Sequence, residues 1–323
     1  KSANNSFYVF GDIVDESRPL QFCMDNDYTF KGYGEYEGQP KSVLTVKHQD
    51  GDNTLVAVDD KSSVSTFTDD FYLGLPSGVH QIPITITKGN SKLQGIQTDG
   101  LRKIYDSQFD ACVNLKDISI GGSFEVGGFG TLPFESCTKV NTISISDSND
   151  TYTVDNQGVI YENDGSGNLT IVEAIENAIS GNTRSIYKPN ESVVKMRERA
   201  FEDNQWIKTF DDVYNDTTKA ANVIDIPEKA FYNCTKLKLV NIGDNSSRAY
   251  VRSNAFSHDS DNEDSMASPI EFYVYNKAIR YNDDAFNLKP TDSERVYNFY
   301  SEENDDTYAT AYPNDGKDNL YWY

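Results

Sequence analysis

Six phenylalanines in this 323-residue chain stand in one local frame, and that frame constrains the fold more than any other feature. They are Phe109, Phe134, Phe201, Phe231, Phe256 and Phe286. Five places earlier stand Ile104, Phe129, Met196, Ile226, Val251 and Tyr281, all apolar. Immediately before them come Gln108, Pro133, Ala200, Ala230, Ala255 and Ala285, and three places after come Cys112, Cys137, Asn204, Cys234, Asp259 and Lys289. Six places after are Leu115, Val140, Ile207 and Leu237, loosening at Asn262 and Asp292. Nine places after are Ile118, Ile143, Phe210 and Val240; eleven after, Ile120, Ile145 and Ile242, with Asp212 the exception. A self-similar period of this length marks an array of stacked units.

The second half of the unit carries apolar residues two apart, the period of a strand. The first half, with spacings of three around Ala-Phe-x-x-Cys, suits a helical or 3₁₀ turn. A strand backed by a short turn has no core of its own. It is stable only when neighbouring coils cover it.

The clearest copy runs from Ile226 through Ala230-Phe231, Cys234, Leu237 and Val240 to Ile242. It closely resembles the BspA-like leucine-rich repeat family, whose units read Ile-x4-Ala-Phe-x-x-Cys-x-x-Leu-x-x-Val-x-Ile. The resemblance covers about residues 96 to 300 and implies an α/β leucine-rich-repeat solenoid, a right-handed β-α superhelix. The family also inserts strand pairs between repeats. Tyr152 to Tyr161 and Asn168 to Val172 resemble such a β-hairpin, placed around 151–174, and would explain the 67-residue gap between Phe134 and Phe201 against 25 to 30 elsewhere. The copies after Phe256 and Phe286 are degenerate, as a terminal coil facing water should be. The aromatic ending Leu320-Tyr-Trp-Tyr323 reads as part of a C-terminal cap to a repeat domain spanning 96–323.

Residues 1 to about 95 carry no copy of the repeat. They read as short alternating strands over 7–14, 28–36, 43–48, 55–58, 67–75 and 82–87, broken at Asp50-Gly-Asp-Asn53 and Pro76-Ser-Gly78. Such a set predicts a small all-β, Ig-like sandwich. It lacks the Cys-Trp-Cys spacing of antibody-type domains.

Residue types that carry chemistry are present but not assembled. Cys112, Cys137 and Cys234 share one repeat position and no C-x-x-C spacing occurs, so they predict a column of small buried side chains rather than a metal site. A disulfide between Cys112 and Cys137 on adjacent coils is geometrically conceivable. Cys23 reads as a core residue, and His48, His80 and His258 stand far apart without a G-x-S-x-G elbow. The acidic runs 259–264 and 302–306 lack the EF-hand spacing and read as solvated loops or weak cation sites. No catalytic residue and no cofactor is expected.

With 29 basic against 51 acidic residues, the net charge of −22 argues against nucleic acid and anionic membranes as partners. No apolar run is long enough to span a bilayer. The first residues lack a signal-peptide core, which leaves a cytosolic protein or one whose targeting segment has been removed; the composition, rich in Asn, Asp, Tyr and Thr, favours the second.

If Ile118 and Ile120 point inward, Asp117 and Ser119 point out. The same rule exposes Thr142 and Ser144, Thr209 and Asp211, Leu239 and Asn241, and Glu271, Tyr273 and Tyr275. This polar strip, turning aromatic toward the C-terminus, is the expected ligand-binding face. The crowded aromatic residues of the last third suit either packing under a cap or a binding patch. The resemblance implies a monomeric, secreted or surface-bound bacterial adhesin holding host protein, matrix or glycan. A carbohydrate-binding accessory protein and an architectural spacer are the alternatives.

Overall fold

The structure is a computed structural model and describes residues 6–8, 22–23, 25–26, 28–49, 51–213, 225–243, 250–257, 270–275, 280–282, 285, 297–300 and 320–322. Its contacts divide the chain into two units, Lys1–Glu162 and Asn163–Tyr323. Both contain stacked coils of a β-solenoid.

The first unit opens with a four-stranded sheet, β1 (Ser6–Tyr8), β2 (Thr29–Gly34), β3 (Ser42–Gln49) and β4 (Asp52–Val58). The β1–β2 pair is parallel and the rest antiparallel. A second sheet follows from β5 (Phe71–Leu75), β6 (Leu93–Thr98), β7 (Asp117–Ile120) and β8 (Thr142–Ile145), all parallel. Sequence reading assigned the strand at 67–75 to a sandwich, yet β5 hydrogen-bonds to β6, so the parallel ladder begins at Phe71 rather than near residue 96. Among the described residues, the strands before it form one sheet and no opposing pair. The strand expected at 82–87 is also corrected: Ile84–Thr87 is a helical turn, α1, entered from Pro83. Ile82 and Ile86 are buried while Ile84 is 42% exposed, the spacing of a helical face instead of a strand.

Within 151–174, β9 (Tyr152–Val154) and β10 (Val159–Asn163) pair antiparallel as a hairpin. Its turn is fixed by Asp155, whose carboxylate accepts from the backbone N–H of Gln157 and Val159, and by Gly158 at φ 83°.

The second unit contains β11 (Leu169–Ala174), β12 (Ile186–Tyr187), β13 (Val193–Met196), β14 (Thr209–Asp211), β15 (Asp225–Ile226), β16 (Leu239–Ile242), β17 (Tyr250–Val251), β18 (Ile270–Val274), β19 (Arg280–Tyr281), β20 (Tyr297–Tyr300) and β21 (Leu320–Trp322). Its main sheet is parallel, in the order β12-β14-β16-β18-β20-β21. A smaller parallel sheet, β15-β17-β19, aligns Ile226, Val251 and Tyr281, the residues five places before the phenylalanines.

Within each unit the phenylalanines stack. Phe109 and Phe134 lie 5.5 Å apart at 18°; Phe201 and Phe231, 5.0 Å at 17°; Phe231 and Phe256, 5.2 Å at 1°. Phe286 lies outside the described residues, as do the acidic runs 259–264 and 302–306. The inward set of the best copy, Ile226, Ala230, Phe231, Cys234, Leu237, Val240 and Ile242, is buried throughout.

The expected helical half of the coil is not a helix. The residues two before and two after each phenylalanine are left-handed: Ser107, Ala111, Leu132, Ser136, Arg199, Asp203, Lys229, Asn233 and Asn254 have φ of 44–63°. This alternation points successive N–H groups in two directions. Glu202 and Asn204 bond back three residues within their own coil, while Arg199, Phe201 and Asp203 donate to Glu228, Ala230 and Tyr232 of the next. Lys229, Phe231 and Asn233 repeat the pattern on Ser253, Ala255 and Ser257. The turns thus act as a sheet edge for each other, which an α-helix, closing its bonds on itself, cannot do. Each left-handed residue costs about 1 kcal/mol, offset by the bond it directs to its neighbour.

One further coil lacks the phenylalanine. Ile82, Asn90, Leu93 and Ile96 occupy the repeat frame with Thr87 at the phenylalanine position. Gly89, at φ 73°, donates to Asp110 as its counterparts do in later coils.

Candidate binding face

Strand register decides which side chains share a surface. In the first unit, Tyr72, Gly95, Asp117 and Thr142 align across β5 to β8, and Gly74, Gln97, Ser119 and Ser144 align beside them. Their neighbours Ile96, Ile118 and Ile143 are buried, so these two rows form the outward face. The structure places Asp117, Ser119, Thr142 and Ser144 on it together.

Half of that face is covered. A Cβ on Gly74 would lie 1.9 Å from the Glu35 carbonyl oxygen, and one on Gly95 would lie 2.9 Å from the Tyr36 hydroxyl. The segment after β2 therefore lies directly on β5 and β6, an approach only glycine permits. The Tyr36 ring sits 4.9 Å from that of Tyr72. Burial, the nearby Asp117 carboxylate and Tyr72 push the Tyr36 hydroxyl up to about 12, so it stays protonated.

Beyond this cover the face opens into a cleft of about 650 Å³ after the C-terminal ends of β7 and β8. It is lined by Gly121 and Gly122, by Ser119, Ser123, Ser144, Ser146 and Ser148, which supply hydroxyls, and by Asp99 and Asp147, which supply carboxylates. The Ser146 and Ser148 hydroxyls are hydrogen-bonded at 2.9 Å, and Asn149 ties the rim to the Gly121 carbonyl at 3.2 Å.

In the second unit, Ile186, Thr209, Leu239 and Glu271 align across β12, β14, β16 and β18, and Asp211, Asn241 and Tyr273 align next to them. Asp211 receives Lys188 at 3.5 Å and the Asn241 amide at 3.0 Å. Tyr275 follows directly after β18 and donates its backbone N–H to Ile242. Thr209, Asp211, Asn241, Glu271, Tyr273 and Tyr275 are all half-buried on this strip. A separate cleft of about 580 Å³ opens beside β13, β15 and β17, where Arg252 pairs with Asp225 at 2.7 Å and lies over the Tyr250 ring.

The cysteines do what their shared position predicted. Cys112 donates its thiol to the Thr87 carbonyl, Cys137 to Phe109 and Cys234 to Phe201, at 2.8–3.1 Å, each on the preceding coil. Asn204 does the same to Ile175 at 2.9 Å. All four cysteines are buried thiols, and burial, aided by Asp110, pushes Cys112 up to about 12. The conceivable Cys112–Cys137 disulfide does not form.

His80 hydrogen-bonds through Nδ1 to Asp52, which also accepts from Gln81 and the Asn53 backbone and lies 3.7 Å from Arg102. Burial pushes the Asp52 carboxyl up, but these donors and charges outweigh it and hold it below the ordinary carboxylate range. His48 bonds Asn53, while His258 lies outside the described residues. Among the described residues no group of three His, Cys, Asp or Glu side chains is arranged to hold a metal. Sequence reasoning did not find Tyr36, Tyr72, Asp99 or Asp147. Glycines at outward positions of two adjacent strands were the available signal for the cover.

No helix among the described residues is long and apolar enough to cross a membrane. A comparison with curated protein sequences finds no significant match. Among solved structures, the pneumococcal vaccine antigen PcpA is similar, with 14% identity over 90% of this chain and 97% of that one and a TM-score of 0.35. A leucine-rich cell surface protein from Faecalibacterium prausnitzii A2-165 shows 13% identity over 85% and 96%, at 0.34. A leucine-rich repeat protein from Eubacterium ventriosum shows 12% over 81% and 97%, at 0.29. Superposition is poor at such scores, and the assignment rests on the repeats. The model of the BspA-type leucine-rich repeat region matches six copies over residues 71–162 and 208–278, just over half of the chain. With the stacked phenylalanines, the thiol column and the parallel register already in place, that match means that the chain belongs to the BspA-type leucine-rich repeat family.

Proposed function

We propose that this chain is a non-catalytic binding protein of the bacterial exterior, secreted or surface-bound, that holds a host protein, matrix component or glycan on its strand faces. The observation that carries this reading is the in-register alignment of outward residues: Asp117, Ser119, Thr142 and Ser144 on one unit, Thr209, Asp211, Asn241, Glu271 and Tyr273 on the other, with Tyr275 directly after. Parallel strands about 4.8 Å apart offer a partner a regular grid of hydrogen-bonding groups, the usual means by which repeat arrays recognise extended ligands. The apolar half of every coil is used up in stacking, which leaves these rows as the variable part of the unit. Family membership supports the exterior location. The cysteines serve packing, and His80 ties the N-terminal sheet to the ladder, so neither supplies a nucleophile. The N-terminal sheet, taken with residues 1–95 in the sequence reading, serves as an end cover.

A carbohydrate-binding accessory role is the second reading. Tyr273 and Tyr275 beside Asn241 and Asp211 combine aromatic, amide and carboxylate groups, a set that suits a sugar ring. The test is binding of the purified chain to immobilised matrix proteins and to a glycan array. Capture of matrix proteins supports the first reading, and a glycan signal lost in Tyr273→Ala and Tyr275→Ala supports the second. Silence on both surfaces leaves an architectural spacer, and turnover of any polysaccharide would overturn the non-catalytic assignment.

A further inference from the structure

We propose that the open half of the first unit's strand face docks an extended polypeptide segment bearing lysine or arginine side chains. The inference rests on the binding role proposed above and adds the chemistry of the partner.

Three observations favour a cation. The face presents carboxylates at both ends of its strands: Asp117 begins β7, and Asp99 and Asp147 bound the cleft beyond the ends of β6 and β8. Between them lie serine hydroxyls, which accept from an ammonium or guanidinium group, and no Lys, Arg or His lines the cleft. Four basic side chains of these coils are held elsewhere: Lys88 by Asp110, Lys92 by Asp70, Lys139 by Asn114, and Arg102 between Asp52 and Glu125.

The covered half supplies the third observation. Tyr72, two strands from Asp117, and Tyr36, whose hydroxyl lies over the intervening Gly95, form an aromatic wall beside that carboxylate. A ring beside a carboxylate is the arrangement that retains a cation against water. With a net charge of −22, the chain also attracts a basic partner from a distance and repels an acidic one. A polypeptide fits better than a compact amine because the features are spread: wall, rows and cleft extend from β5 to β8 and past the strand ends. An extended chain places alternate side chains at that scale.

The probe is a short alternating Lys-Ser peptide, compared with Glu-Ser and Gly-Ser peptides of equal length and with a chitosan oligomer, in calorimetric titrations at low salt. The Lys-Ser peptide should bind and the acidic and neutral peptides should not. The triple variant Asp99→Asn/Asp117→Asn/Asp147→Asn should weaken binding about tenfold. Asp69→Asn/Glu191→Gln/Glu228→Gln, which removes equal charge from exposed positions off this face, should change it less than about twofold. Circular dichroism and thermal melting check that both variants fold. Equal losses in the two variants would reduce the effect to net charge and overturn the site, and tighter binding of the chitosan oligomer would overturn the polypeptide. Capture of matrix proteins or glycans by a chain that ignores the Lys-Ser peptide would overturn this inference and leave the binding role standing.

Discussion

At the scale of residues, interchange of cysteine and asparagine at one repeat position follows from a single requirement. The buried side chain must donate to a backbone carbonyl, that of Ile86 in its own coil for Asn90, and those of Phe109 and Ile175 on the preceding coil for Cys137 and Asn204. Thr87 is the residue at odds with its surroundings. It occupies the phenylalanine position, is fully buried, and its hydroxyl has no hydrogen-bond partner among the described residues. An orphaned hydroxyl costs about 1–3 kcal/mol, so Thr87→Val should stabilise the protein by about 1 kcal/mol, read as a higher urea midpoint at unchanged slope. Asp52 behaves in the opposite sense. Its folded carboxyl ionises below the ordinary range, so it contributes stability above about pH 4 that is lost as pH falls through the lowered value. Asp52→Asn should cost about 1–2 kcal/mol at pH 7, and the two proteins should converge in acid. Urea titrations across pH test both points, and a difference that persists undiminished in acid would show that packing, not charge, is at work.

At the scale of elements, the turn on the phenylalanine side explains what periodicity could and could not reveal. Spacings of three suggested a helix, but the same spacing arises from successive four-residue turns with left-handed residues between them. Those left-handed places hold Ser, Ala, Leu, Arg, Asp, Lys and Asn, with no common side-chain character, so their backbone state left no trace in composition. The conformation is imposed by inter-coil hydrogen bonding. It follows that Lys229→Gly should be neutral or stabilising, because glycine meets no Cβ penalty at φ 54°, while Lys229→Val should cost about 1–2 kcal/mol. Thermal unfolding of the pair gives the comparison, and equal loss in both would remove the backbone explanation. The helical turn at Ile84–Thr87 was misread for a related reason. Its two inward isoleucines are separated by an outward one, a pattern that also fits a strand until Pro83 is placed at the helix start.

At the scale of the whole molecule, each coil depends on its neighbours rather than on a central core. Phe231→Ala removes a ring stacked between Phe201 and Phe256 and should cost about 3–5 kcal/mol. In an array of nearest-neighbour contacts the loss spreads locally: hydrogen exchange should accelerate over residues 199–257 and leave the amides of 104–145 near their original protection. Uniform acceleration along the chain would contradict the array description. By itself the sequence determined the period, the inward residues and the register that sets Asp117 beside Thr142, because apolar groups at a fixed spacing have only the next coil against which to leave water. It also determined that Asp211 and Asn241 share a strip. Only the tertiary structure decided where the ladder starts, since Thr87 keeps the frame without its phenylalanine. It alone decided which outward residues stay open, since Tyr36 reaches Gly95 from a segment far away in the chain. Contacts of that kind depend on two elements packing together, and no local pattern in either one records them.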